Sequence, residues 1–291
     1  MQQPLTLMAV HAHPDDECST GGTLARYAAE GFTTVLVTCT GGEEGEIVDP
    51  EMDVEIVKPR LAEVRLAELR ASAEILGIHH LELLGYRDSG MAGTPANDDP
   101  RSFNKADPEE ATCRLVALIR RHRPQVLFTY DEDGGYGHPD HLMAHKITVA
   151  AFDAAGDRDF HPDLGEPWQP QKLYYTAWMM RSRLQGLWRA MRGHGLPVTF
   201  GEPDAEEPPE WGTPDGLLRA WIDVRPYVGA RLESLRVHRS QIRRDSMFLR
   251  LPEVFAREYL GTEGFRFGRS LVESPDIEDD LFAGVRVPVA V

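Results

Sequence analysis

The chain has 291 residues, 42% of them hydrophobic and 27% charged, enough apolar material for one large α/β domain or a domain with a smaller appendage. Its formal charge of −16 would repel a phosphate backbone, and no Lys/Arg stripe with interleaved aromatics offsets it. Nucleic acid is therefore excluded as a partner.

The apolar run Leu5 to Val10 predicts a buried strand, followed by a helix from Thr20 to Glu30 that Gly31 stops. The surrounding LTLMAVHA is too short to span a membrane and lacks the basic flank of a secretory signal, so no membrane association is expected. Thr33 to Cys39 reads as a second strand, ending in the loop TGGEEGEIVDP. Pro59 to Leu76 carries the 3.6-residue helical pattern and is closed by Gly77, ahead of a third strand near Leu81 to Leu84. Gly85 to Asp107 is a long Gly-, Pro-, Asn- and Asp-rich loop, expected to form a substrate wall. Then come a helix (Glu109 to His122), a strand (Gln125 to Thr129), a helix (His141 to Ala155), a strand (Lys172 to Ala177) and a helix (Arg181 to Arg192). Residues 193–216 are Pro- and acid-rich and break the alternation, and the acidic stretch Glu202 to Glu210 reads as a solvated loop. A strand, Leu217 to Val224, and a helix, Tyr227 to Ile242, follow. Three scattered cysteines, Cys18, Cys39 and Cys113, give no disulfide framework and suit a reducing, cytoplasmic compartment.

This alternation predicts an α/β fold: a Rossmann-like, doubly wound, mostly parallel sheet with helices on both faces. It is expected to occupy residues 1–192 and carry the site, with a smaller C-terminal part, residues 193–291, completing the substrate pocket. Ligands of such sheets sit beyond the carboxyl ends of the strands. Two unusual clusters fall there: HPDDE, from His13 to Glu17, and YGHPDH, from Tyr136 to His141. A proline after His13 and after His138 keeps both histidines out of the α region, so each loop leaves its strand extended.

Catalytic zinc takes three protein ligands and leaves one position open. His13 and Asp16 from the first loop with His141 from the second would supply such a set for one Zn²⁺ per chain, and the same nitrogen and oxygen donors suit Fe²⁺. Asp15 could then accept a proton from an activated water, Tyr136 and His138 could donate to an oxyanion, and Asp140 could orient His138. The plain alternatives are N-capping for Asp15, Asp16 and Asp140, a packed core position for His11, and a structural role for His145 one helical turn beyond His141. Cys18 reads as a small packed residue.

AHPDDE (Ala12 to Glu17) together with GGYGHPDH (Gly134 to His141) resembles the zinc-dependent N-deacetylases of the LmbE and PIG-L type. The resemblance extends through TGGEEGE (Thr40 to Glu46), RLAEL (Arg65 to Leu69), YRDSGMAGT (Tyr86 to Thr94) and HRSQ (His238 to Gln241), most of the chain. It implies zinc on His13, Asp16 and His141, Asp15 as general base, and Tyr136 with His138 at the oxyanion or the leaving amine. It also implies that Arg65 and Asp88 contact the sugar or polyol of the substrate; as residues alone, each is simply a surface ion-pair partner. RDSGMAGT and GGYGHPDH are similar to the branch that deacetylates N-acetylglucosaminyl-inositol. GEIVDPEMD and GEPWQPQKLYY are similar to the branch of mycothiol S-conjugate amidases. Those amidases carry a lysine shortly after the acidic triplet, where this chain has Cys18, Ser19 and Thr20.

The resemblance implies hydrolysis of the acetamide of a small-molecule N-acyl amino sugar, with Asp15 or His138 releasing the amine. Homo-oligomerisation is compatible with it. Two rivals stand beside this reading: a non-catalytic sugar-binding protein on the same fold, and a metal-dependent phosphoesterase. The second lacks both a second metal set and a cationic cradle in the sequence.

Overall fold

Seven strands form one sheet in the order β3-β2-β1-β4-β5-β7-β6. They are β1 (Thr6–His11), β2 (Thr33–Thr40), β3 (His80–Tyr86), β4 (Val126–Thr129), β5 (Lys172–Thr176), β6 (Leu218–Asp223) and β7 (Thr262–Ser270). This is a computed structural model that describes residues 4–198, 200–201 and 205–285. β1 to β5 run parallel, whereas β7 pairs antiparallel with both β5 and β6.

All six residues of β1 are buried, as expected of a parallel strand covered on both faces. Leu7 and Ala9 enter a core with Leu24, Tyr27 and Leu69, while Met8 and Val10 enter the opposite core with Leu115, Ile119 and Ile147. One face is covered by α1 (Gly21–Ala29) and α2 (Leu61–Leu76), on which α6 (Val228–Val237) packs, and the other by α3 (Pro108–His122) and α4 (Pro139–Ala154). α5 (Arg181–Gly193) packs against α7 (Glu253–Tyr259).

The mostly parallel, doubly wound α/β sheet expected from the sequence is present. Several details differ. β7 has no counterpart among the predicted elements. The helix expected over Tyr227 to Ile242 ends at Val237, because the next residues turn away: the Ser240 N–H and hydroxyl both bond to Glu68 of α2. The long loop after β3 holds two single 3₁₀ turns, Pro95–Asp98 and Phe103–Lys105. Of the acidic stretch, residues 202–204 lie outside the described residues, and Glu206, Glu207 and Glu210 are exposed. Among the described residues no helix is long and apolar enough to cross a membrane.

β1 is flanked by β2 on one side and β4 on the other, so the chain reverses its direction of winding between β1 and β4. That switch point opens a crevice at the carboxyl ends of the two strands. The loops that follow β1 and β4 are those holding the two sequence clusters.

Candidate active site

Tyr130, directly after β4, ties the two loops together. Its hydroxyl donates to Asp16 Oδ2 at 2.6 Å and accepts the Ala12 N–H at 2.7 Å. The same Asp16 oxygen accepts the His13 N–H at 2.7 Å, closing the first loop on itself. In the second loop Gly134, Gly135 and Gly137 all have positive φ. A Cβ on Gly134 would stand 2.9 Å from the His141 Cβ, so only glycine lets the loop pass this close to α4. Pro139 starts α4, and His138 caps it by accepting the Asp140 N–H on Nδ1 at 3.1 Å. With Nδ1 an acceptor, the ring proton of a neutral His138 sits on Nε2.

The donor atoms converge. His13 Nδ1 lies 3.3 Å from Asp16 Oδ2, and His141 Nε2 lies 3.5 Å from Asp16 Oδ1. Two ligands held at tetrahedral zinc distances are separated by about 3.3 Å, and the Asp16 carboxylate stands at about that spacing from both imidazoles, one oxygen toward each. His141 donates from Nδ1 to Gly134 O at 3.0 Å, which leaves Nε2 a lone pair; it is buried and has no hydrogen-bond partner among the described residues. His13 turns Nε2 to Asp140 Oδ2 at 3.2 Å, leaving Nδ1 toward Asp16. This is the carboxylate-backed imidazole common to metal sites. His138 also approaches: ligand atoms of His13, His138 and His141 lie within 4.8 Å of one another. The residues present fit a divalent cation.

The electrostatics agree. Burial pulls the His13 imidazole down, but Asp140, Asp16 and Asp88 together raise it well above its ordinary value, which marks a local excess of negative charge. Burial opposes ionisation of Asp16, yet His141 and His13 hold its carboxyl well below the usual range. Burial pushes the Asp15 carboxyl up to about 6 against the pull of Arg65. Burial and the neighbouring His13 lower His138 to about 4, so it is neutral near pH 7.

Asp15, Asp16, His13, His141, His138, Tyr136, Arg65 and Asp88 all line one cavity of about 710 Å³. Tyr136 is 51% exposed and edges onto His141. Asp140 is fully buried behind the wall. Expected to orient His138, it bonds that residue through its backbone amide, and its carboxylate, whose charge also acts on His138, accepts from His13 and from the Ser89 N–H and hydroxyl. Arg65, expected to face the substrate, lines the cavity and also donates to Asp15 Oδ1 (3.0 Å), Pro14 O (2.5 Å) and Gly42 O (2.8 Å), clamping the first loop, while its Nε has no partner among the described residues. Asp88 accepts the Gly90 and Glu44 amides and stands 3.6 Å from His13 Nε2. His11 is a core residue packed edge-on against Phe128 and Tyr130, and His145 bonds to Tyr130 O.

Sequence reasoning missed Tyr130, Ser89 and the partners of Glu17. Tyr130 alone carried a local signal, as the residue leaving β4 straight into the second cluster. Glu17 is buried and bonded to Ser72 and His238, which lie 55 and 221 residues away, beyond any motif spacing.

A mostly parallel, doubly wound α/β sheet whose switch point gathers His13, His138 and His141 beside Asp15 and Asp16 belongs to the class of α/β proteins with a donor set at the strand ends that fits a divalent cation. Comparisons narrow the class. The family described as PIG-L, GlcNAc-PI de-N-acetylase, matches residues 8–152. A 1D-myo-inositol 2-acetamido-2-deoxy-alpha-D-glucopyranoside deacetylase of Geodermatophilus obscurus is 44% identical over 96% of this chain and 97% of its own. The mycothiol S-conjugate amidase of Streptomyces coelicolor is 40% identical over 98% of this chain and 99% of its own. Among solved structures, the N,N'-diacetylchitobiose deacetylase of Pyrococcus horikoshii shares the fold with a TM-score of 0.61 at 20% identity, covering 90% of this chain and 83% of that one. The chain belongs to the PIG-L/LmbE family.

Proposed function

We propose that this protein is a metal-dependent deacetylase that hydrolyses the acetamide of an N-acetylated amino sugar, with the N-acetylglucosaminyl-inositol named for its Geodermatophilus obscurus relative as substrate. The observation that carries the reading is the pairing of a partnerless His141 Nε2 with a raised, Arg65-bound Asp15 in one cavity. His13, Asp16 and His141 would hold the cation, Zn²⁺ or Fe²⁺. A cation there supplies Lewis acidity, polarising an amide carbonyl and acidifying water beside it.

The side chains supply the rest. Asp15 gives Oδ1 to Arg65 and keeps Oδ2 to accept the proton of the attacking water. His138, neutral with its proton on Nε2, donates to the oxygen that gains charge, and Tyr136 at the cavity edge adds a second hydroxyl donor. Water adds to the carbonyl carbon, the C–N bond breaks, and acetate and a primary amine leave. The proton taken by Asp15 is returned to that amine.

One observation favours the amidase as a second reading. The cavity lining includes an apolar set, Trp178, Met179, Leu232, Leu235, Ile242 and Phe248, more than a fully hydroxylated sugar requires. Turnover of the metal-loaded protein on N-acetylglucosaminyl-inositol, N-acetylglucosamine and a mycothiol S-conjugate, read as freed primary amine, separates the cases. Release from the inositol glycoside alone supports the deacetylase; preference for the S-conjugate selects the amidase. Bound metal with no release from any of the three makes the protein a binding module.

A further inference from the structure

Asp15 has φ 109° and ψ −22°, a backbone conformation that costs a non-glycine residue free energy and persists only where its surroundings impose it. The restraint on one side is Arg65, which grips the Pro14 carbonyl and the Asp15 carboxylate. On the other side the Asp15 N–H donates to Glu17 Oε2 at 2.9 Å. Glu17 is itself held from below: its Oε1 accepts the Ser72 hydroxyl at 2.5 Å and His238 Nε2–H at 2.6 Å.

Glu17 and His238 are both buried, and the other ring nitrogen of His238, Nδ1, has no partner among the described residues. The imidazole's polar engagement is thus the bond to Glu17. The turn that carries it is seated independently, through Ser240 on Glu68 and the Val48 N–H on Ser240 O. A buried polar pair is a poor device for stability alone, since well-packed apolar side chains do as well. It is a good device for fixing a geometry.

We propose that Glu17 and His238 are positioning residues: the hydrogen-bonded chain from His238 through Glu17 to the Asp15 amide holds Asp15 in its strained conformation and so aims its carboxylate into the cavity. His238, which does not line the cavity, thereby acts on the chemistry without touching substrate. This rests on the reading of Asp15 as the proton acceptor.

The test compares His238→Leu, which fills space but cannot donate, with His238→Gln, whose amide N–H reaches nearly as far as Nε2. For the metal-loaded chains, kcat of His238→Leu is expected to fall about ten- to a hundred-fold, with KM within about two-fold and metal content at one ion per chain. His238→Gln is expected to restore most of the loss, whereas a packing role would be served as well by leucine. Equal kcat in the two variants and wild type overturns the proposal. A crystal structure of His238→Leu gives a readout free of turnover: Asp15 leaving positive φ is expected, and Asp15 unchanged at the wild-type angle overturns it. Should His238→Leu not fold, Ser72→Ala removes one donor from the same Glu17 oxygen; a smaller fall in kcat at near wild-type Tm is expected, and none overturns the proposal. Wild-type release from the inositol glycoside is measured alongside. If it is absent, the substrate reading fails by itself, and the pair is judged on N-acetylglucosamine and on the Asp15 angle.

Discussion

His141 presents a buried lone pair that no protein group uses, whereas Asp15 keeps Oδ2 beyond the reach of its Arg65 clamp. The two residues should therefore fail differently. Asp15→Ala is expected to retain one metal ion per chain and lose roughly 10²–10⁴ in kcat, the range of general base catalysis. His141→Ala is expected to lose tight metal binding, with activity falling in step. Metal analysis beside amine release checks both, and near wild-type turnover in Asp15→Ala would refute the assigned base. These residues were legible because their signal is local: histidine, proline and acid fall within a few positions of a strand end, twice. The supporting shell was not. The Asp140 carboxylate is held by Ser89 and by His13, 127 residues away, and Asp16 accepts the hydroxyl of Tyr130, 114 residues away. Arg65 was marked by resemblance as a substrate contact, and only the fold shows that its two terminal nitrogens also bond the Gly42 and Pro14 carbonyls and Asp15.

At the scale of elements, β1 to β5 were readable from β-branched and apolar runs alone. β7 was not, because TEGFRFGRS carries two glycines and three charges in nine residues. The fold explains them. A Cβ on Gly264 would meet Met180 Sδ at 2.7 Å, and one on Gly268 would meet Leu173 O at 2.8 Å, so each glycine marks a close approach by a neighbour distant in sequence. Glu263 serves a different element, since its carboxylate accepts the Gly22 and Thr23 amides at 3.0 and 2.8 Å and so caps the start of α1 from across the chain. Glu263→Ala orphans both amides and should cost about 1–3 kcal/mol, read as a lower Tm. Burial raises the Glu263 carboxyl above its ordinary value despite Arg231. Ionising it therefore opposes folding: its contribution is greatest below the ordinary glutamate range and declines as pH rises through the raised folded value. Glu263→Gln should remove that decline, flattening the dependence of Tm on pH between acid and neutral solution. A slope equal to wild type would show that the titration lies elsewhere.

Over the whole molecule, the C-terminal segment makes buried contacts at both ends of the strands. Near the carboxyl ends it brings His238 beneath the first loop. At the other end it returns past β6, where Glu278 exchanges backbone bonds with Arg219 and Trp221, to meet the first residue of β5. There Lys172 Nζ donates to Glu278 Oε1 at 2.8 Å and to Ala283 O at 3.0 Å, with both charged side chains fully buried. The Tyr174 hydroxyl also donates to Glu278. Removing one partner of such a pair strands the other charge out of water, so Lys172→Met is expected to destabilise the fold by about 3–5 kcal/mol. Lys172→Met with Glu278→Leu removes both charges and should regain most of that loss, since apolar packing can replace a buried pair. Because this anchor lies at the amino ends of the strands, away from the cavity, kcat per folded chain should stay at the wild-type value in both variants. Denaturant unfolding gives the stabilities and amine release gives kcat. A double variant as unstable as Lys172→Met would show that the pair stabilises through more than its mutual neutralisation, and a fall in kcat would mean that the tail is coupled to the site through the length of the sheet.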